Sequence, residues 1–286
     1  MNPFQKFVSE QARLLRRAKK LPPGQLRQIP RQPGRFAGAP KVLIFSPHPD
    51  DECIIGGLAL RLGREARWNV LNVAVTLGSR RERRAARLRE LRNACASLGF
   101  GLIVPDKRGW EHIHPGTRRR NRAHWQAAVR VVAKILAAQR PRVIFVPHEQ
   151  DHHKTHIGTH RLVLHALKTL PHDFTCHVVE TEYWGQMTEP NLLVESGVAD
   201  VAALVAALAC HAGEMRRNAC HLRLPAWMMD NVRRGAELVG GQGNAAPDFT
   251  FATIYRLRKW SRGRLVEVLK RGKFLACRED IAKLFY

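Results

Sequence analysis

The sequence predicts an α/β fold, a mostly parallel β-sheet covered by helices on both faces. Three observations carry that reading. Short β-branched, apolar runs alternate with longer stretches of helical periodicity. Such alternation implies βαβ units, whose strands are buried on both sides. The two most polar, histidine-rich stretches directly follow two of these runs, at the carboxyl edge where ligands of open parallel sheets collect.

Taken in order, residues 41–46 (KVLIFS) and 68–76 (WNVLNVAVT) read as strands, 85–98 as a helix and 101–104 as a short strand. A helix over 123–139 precedes the strand 142–147 (RVIFVP), which a proline ends, and helical periodicity returns over 157–170. The right-handed crossover rule sets successive strands side by side with their carboxyl ends on one edge. Residues 175–183 add a strand, 198–218 read as helical, and the Gly-rich stretch around 235–243, with its LVGGQGN, reads as a flexible connector, since it lacks the Lys-Ser/Thr of a phosphate loop. No repeat of solenoid period is present in the sequence.

Three parts are expected: a basic, Pro-rich arm over 1–40, a central α/β domain over 41–255, and a basic tail over 256–286 packed on or extending that domain. The arm carries nine Lys/Arg against one acid, and Phe4, Phe7, Val8, Ala12 and Leu15 oppose Arg13, Arg16 and Arg17 as in a basic amphipathic helix. That helix reads either as a membrane-surface element or as a solvated helix lying loosely on its own domain. With 286 residues, one large α/β domain or about two smaller units are both accommodated. Hydrophobic residues at 45% and charged residues at 25% exclude a disordered or collagen-like chain. A net charge of +24 favours anionic partners. The longest apolar run, 198–210, is too short to span a bilayer and contains Asp200, which argues against an integral membrane protein. Six scattered cysteines without CxxC spacing suit reduced thiols, and with no secretory signal a cytoplasmic location is expected, peripheral at the inner membrane surface if the arm binds lipid.

Two clusters carry chemistry. Pro47-His48-Pro49-Asp50-Asp51-Glu52 puts four ionisable groups at the end of a buried strand. Crowded carboxylates repel and lose hydration there, so a cation compensates them; equally, aspartates cap a helix starting near Cys53. Taken alone, the motif supports both readings. The second cluster, residues 147–156 (PHEQDHHKTH) with His160 beyond, holds five of the fourteen histidines. His156 and His160 share a helical face, and the spacing of His153 and His156 lets them converge on one ion. Two strand ends offering nitrogen and oxygen ligands favour a metal, and two histidines with one aspartate describe a catalytic zinc with an open position.

PHPDDE followed by HKTH resembles the signature of the PIG-L/LmbE-like zinc-dependent de-N-acetylases, over residues 41 to about 255. The resemblance implies a Rossmann-like fold and hydrolysis of the acetamide of an N-acetylglucosamine-type sugar in a glycan, glycolipid or glycoconjugate. It implies His48, Asp51 and His156 as ligands of one Zn2+ per chain, another divalent metal being the alternative. Asp50 is implied as general base, and His153 as the histidine that polarises the amide carbonyl and protonates the leaving nitrogen. The chemistry suits these residue types, because zinc lowers the pKa of its water to about 7 and a carboxylate assists.

Two positions depart from the family pattern: Pro47 replaces Ala or Ser, and Thr155 replaces the acid between the later histidines. That acid orients His153 in the resemblance, and Asp151 is expected to take over the role. Arg87, three residues before Glu90, matches an RxxE element whose arginine touches substrate, against a plain surface ion pair. Asp106 resembles a sugar-binding acid. No tryptophan is assigned to the site. The implied partner is an N-acetylated sugar, anionic or lipid-linked given the basic termini, with peripheral association to an anionic membrane and no specific nucleic acid. Two alternatives remain: an amidase of the same metal family acting on another acylated amine, such as a thiol conjugate, and a non-catalytic nucleic-acid binder suggested by the charge and by Arg118, Arg119 and Arg120.

Overall fold

A computed structural model of the protein describes residues 2–24, 36–106 and 109–286. Pro30 and Pro33 of the Pro-rich lead-in lie outside the described residues. The chain opens with helix α1 (Phe4–Ala18), and the sheet begins at β1 (Lys41–Ser46). Helices α2 (Asp51–Ile54) and α3 (Gly57–Arg64) lead to β2 (Asn69–Ala74), and α4 (Arg84–Leu98) leads to β3 (Gly101–Ile103). Through α5 (Thr117–Arg120) and α6 (Arg122–Gln139) the chain returns to β4 (Val143–Pro147), and α7 (Lys154–Leu167) connects to β5 (Cys176–Thr181). These strands are parallel in the order β3-β2-β1-β4-β5. The winding direction reverses between β1 and β4, so the loops leaving their carboxyl ends diverge and open a crevice.

Why β1 is apolar along its length follows from what covers it. Val42 and Ile44 enter a core shared with Leu58 and Leu62 of α3, Leu91 of α4 and Leu204 of α8 (Val198–Ala209), while Leu43 and Phe45 enter another with Trp125 and Val132 of α6 and Leu162 of α7. Each such buried side chain contributes roughly 1.5–3 kcal/mol, so the strand is held from both faces and its end is a rigid platform.

Beyond β5 the sheet changes character. β6 (Leu192–Glu195), α8, α9 (Ala212–Arg217) and α10 (Cys220–Leu238) precede β7 (Ala252–Ser261), β8 (Arg264–Glu267) and β9 (Lys273–Leu275). β7 runs antiparallel to β5, β6 and β8, and β9 pairs parallel with β6. The boundary expected at 255/256 therefore falls inside a strand, and residues 256–286 extend the sheet. Two of their basic residues have acid partners: Arg258 forks onto Glu180 of β5 at 2.7 and 2.9 Å, and Arg256 reaches Glu189 and Glu267. Arg61, wholly buried, binds the carbonyl oxygens of Ala276, Cys277 and Glu279 at 3.1–3.2 Å and locks this segment onto α3.

Two elements differ from the sequence reading. The helical stretch 198–218 breaks after α8, because His211 is drawn inward to Glu52 and its backbone leaves the helical region at ψ 53°. Gly235 belongs to α10 rather than to the loop, since a Cβ there would meet Leu193 of β6 at 2.8 Å and the helix could not pack so close.

Candidate active site

Both polar clusters begin where buried strands end, β1 at Ser46 and β4 at Pro147. After Pro49 the backbone takes φ 116° at Asp50, a region that residues other than glycine rarely adopt. The turn is held because the Asp50 N–H donates to Glu52 Oε2 at 2.9 Å, while Glu52 Oε1 accepts from His211 Nε2 at 2.7 Å. Although burial pushes His211 down, the Glu52 carboxylate holds it above the usual histidine value. This clasp presents Asp50 to the cleft and sets Asp51 among histidines.

His48 Nδ1, Asp51 Oδ2 and His156 Nε2 form a triangle with sides of 3.2, 3.3 and 3.4 Å. Donors placed 2.0–2.1 Å from a tetrahedral zinc stand about 3.3 Å apart, so one divalent cation fits all three. The donor chemistry agrees, with two imidazole nitrogens and one carboxylate oxygen brought out of water and facing a common point. Ligand atoms of His48, His153 and His156 also lie within 4.8 Å of one another. Asp51 is driven up by burial, yet His156 and the hydrogen bond to His48 hold it below the usual carboxylate range. Burial lowers His48, with Asp51 opposing; for His156 the balance reverses, and Asp51 and Asp151 hold it above its ordinary value.

Asp151 has a different recipient from the one the sequence suggests. Its Oδ1 accepts the His153 backbone N–H at 2.7 Å and faces His156 Nδ1 at 3.5 Å, and its Oδ2 accepts the N–H of Trp184 at 3.1 Å. It therefore supports the ring of His156 and not that of His153. These donors overcome burial and take Asp151 down to about 2. His153 instead caps α7, its Nδ1 accepting the Thr155 N–H at 3.3 Å, which leaves Nε2 to carry the proton of the neutral ring. Burial and the neighbouring His48 and His156 lower His153.

Asp50 and His153 line one cleft of about 450 Å³ with His48 and Asp51; Arg87, Trp110, His112, His114, Trp184 and Arg217 form its walls. Burial and the adjacent Asp51 push Asp50 up to about 8, against the pull of Arg87 and His211. Arg87 lies across the turn, Nη2 donating to the Pro49 carbonyl at 2.7 Å and standing 3.5 Å from Asp50 Oδ2. Gly78, at φ 90°, makes room for it, since a Cβ there would lie 2.7 Å from Arg87 Nη1. Glu90 turns elsewhere and accepts the Gly213 N–H at 3.0 Å. Asp106 is not in this cleft. It lines an adjoining cavity of about 490 Å³, which shares the walls formed by Trp110, Glu111, His112 and His114.

Three neighbours of the site escape sequence reasoning. Glu52 sits in the first motif but carries no assigned role there. His211 gives no signal, lying 159 residues from Glu52 at the end of an apolar stretch. Trp184 had one: it follows the strand over 175–183 and so reaches the same carboxyl edge, where it stands 57% exposed at the cleft.

Comparison with known proteins agrees with this architecture. Residues 43–167, just under half of the chain, match the family model PIG-L, GlcNAc-PI de-N-acetylase. No curated protein matches the chain. Among solved structures, N,N'-diacetylchitobiose deacetylase from Pyrococcus horikoshii is 17% identical at a TM-score of 0.56, with 92% of this chain and 96% of that one covered. The 4-carboxy-2-hydroxymuconate hydratase from Pseudomonas putida is 15% identical at a TM-score of 0.56, covering 80% of this chain and 99% of that one. A teicoplanin deacetylase described in a zinc-inhibited form is 13% identical at 0.54, covering 77% and 98%. At such identities the likeness is one of fold.

Proposed function

We propose that this chain, which carries a PIG-L family domain, is a zinc-dependent hydrolase that removes the N-acetyl group from an N-acetylglucosamine-type sugar within a larger glycan or glycoconjugate. The observation that carries the reading is the triangle of His48 Nδ1, Asp51 Oδ2 and His156 Nε2 beside Asp50 and His153 in one cleft. Zinc held there supplies a Lewis acid and makes water a strong nucleophile at neutral pH. Asp50 takes the proton of the attacking water; a cation held by His48, Asp51 and His156 would oppose the repulsion of Asp51 and so favour the ionised form of this carboxylate. Arg87, touching both Pro49 and Asp50, holds the base in line and offers the rest of its guanidinium to substrate hydroxyls. In the same cleft the Nε2–H of neutral His153 donates to the amide carbonyl oxygen and stabilises the negative charge that develops there, while the proton taken by Asp50 passes to the departing nitrogen, so the products are acetate and a free amino sugar. A substrate larger than one sugar continues past Trp110 and His114 into the adjoining cavity, where Asp106 receives its hydroxyls.

The fold itself does not select this reaction, because one protein of the same architecture is a hydratase. Support for hydrolysis comes from a carboxylate base and an imidazole N–H donor that share one cleft with the donor triangle. The test is acetate release from N-acetylglucosamine conjugates by zinc-loaded protein, with and without chelator. Asp50→Asn is expected to lower the rate by about 10²–10⁴-fold while zinc content is unchanged. Zinc-loaded protein that releases no acetate from any N-acetylated sugar, or an Asp50→Asn variant of normal rate, overturns the reading. Release of another acid from an acylated thiol conjugate would move the activity to the amidase alternative.

A further inference from the structure

Helix α1 has two sharply different sides and no buried residue. At 3.6 residues per turn, Phe4, Phe7, Val8, Leu14, Leu15 and Ala18 fall on one side, and Lys6, Arg13, Arg16 and Arg17, with Lys20 just beyond, on the other. The apolar side is bare: Phe4 is 70%, Phe7 59%, Val8 61% and Leu14 65% exposed. Leu15 and Ala18 alone are half-buried, so the helix does not lie on its own domain. Its single acid, Glu10, faces Arg13 at 3.8 Å and leaves the basic side cationic. Among the described residues, no helix is long and apolar enough to cross a membrane.

We propose that α1 docks the protein on an anionic lipid bilayer, its apolar side entering the headgroup boundary and its arginines and lysines lying among the lipid phosphates. Charge and shape select this occupant. A protein groove would take the apolar residues but leave the opposite basic side without a counterpart, whereas a bilayer surface supplies hydrocarbon below and phosphate around the same helix. The chain's excess of 48 Lys/Arg over 24 Asp/Glu adds attraction to the same surface.

The docking element is also tied to the cleft. Shortly after α1, the Gly24 N–H donates to the Ala209 carbonyl at 2.8 Å, at the end of α8. From there the chain runs to His211 and then to Glu214 and Arg217, which line the cleft. A bilayer holding α1 thus holds the wall of the catalytic crevice. Resting on the deacetylase reading, this makes the substrate a sugar presented at a membrane surface; the docking itself does not depend on that reading.

Flotation of the full chain with vesicles of phosphatidylcholine alone, or of phosphatidylcholine with phosphatidylglycerol, tests the proposal. Recovery with the anionic vesicles and little with the neutral ones is expected. Phe7→Glu, and separately the pair Arg16→Glu and Arg17→Glu, should each reduce anionic recovery by about tenfold or more. All these positions are on an exposed helix, so circular dichroism should be unchanged. Equal recovery on both vesicles, recovery on neither, or a Phe7→Glu variant that floats like the wild type overturns docking. A change in oligomer size with Phe7→Glu, while the wild type fails to float, would make the face a protein interface and overturn it too. Acetate release from a water-soluble substrate, expected to be equal for wild type and Phe7→Glu, is read in parallel. If it is absent from both, the activity reading fails while flotation still answers the docking.

Discussion

The two ends of the parallel strands each hold a cavity, and the larger one is at the wrong end. At the amino end, about 900 Å³ opens among Lys41, Arg140, Arg142, His177 and Lys259; at the carboxyl end, the cleft around His48 is about 450 Å³. Size does not separate them, but the direction of the chemistry does. Helix carboxyl ends and their unpaired carbonyls meet at the amino edge, where cations are favourable and already engaged: Arg142 donates to the Phe285 carbonyl at 3.0 Å and stacks over Tyr286. At the carboxyl edge, the donor atoms of His48, Asp51 and His156 converge on one point with Asp50 in the same cleft, an arrangement that a cation from outside would compensate. A volume says where something fits; only converging, under-compensated groups say where something must bind.

The largest effect should come from cutting that convergence. His156→Ala is expected to lose zinc and with it at least about a thousandfold in acetate release, while Arg142→Ala at the other end leaves both unchanged. Elemental analysis beside acetate release decides, and an Arg142→Ala variant with lost activity would break the comparison. A smaller effect sharpens it. Because Asp151 addresses His156 and not the ring of His153, Asp151→Asn should weaken zinc binding by about 10–100-fold and leave the pH limb belonging to His153 in place once zinc is saturating. A shifted limb at saturating zinc would return Asp151 to the role the sequence suggests.

How much of this was legible in the sequence depends on the distance over which each element is determined. β1 appears at 41–46 as read, and β4 and α4 begin within a residue of the reading, because buried parallel strands and their covering helices write their burial into local composition. The donor triangle was legible for the same reason: each half sits immediately after such a strand. Charge hid β7, since Arg256 and Arg258 look like a solvated run until Glu180 of β5, far away in sequence, is known to face Arg258. Pro225 near the start of α10 and Gly235 near its end obscured that helix, both being ordinary helix breakers. The geometry of Asp151 was out of reach in principle, because a carboxylate two residues from one histidine and five from another can serve either, and the backbone path after β4 decides.

The smallest predicted effect belongs to the amino end and is a stability, not an activity. His177 on β5 lies against Phe285, with centroids 5.3 Å apart, and pairs across the ladder with Lys259. Burial first, then the Lys259 charge, lowers it to about 4, against the pull of its contact with the Arg142 backbone. In the unfolded chain an ordinary histidine titrates near pH 6.5, so between these values the unfolded state binds the extra proton and the native state does not. Stability is therefore fully present above about pH 6.5, declines as the pH falls, and stops declining on this account below about 4. Histidines of the carboxyl-end cleft add their own pH dependence, so the informative quantity is the difference between wild type and His177→Gln in urea midpoint, measured across that window in the presence of chelator. The variant should show the flatter acid side, with acetate release at neutral pH unchanged after zinc is restored. Parallel curves for the two proteins would mean that His177 is as well hydrated as an unfolded histidine, and the amino-end cavity would then be open to water down to the strand itself.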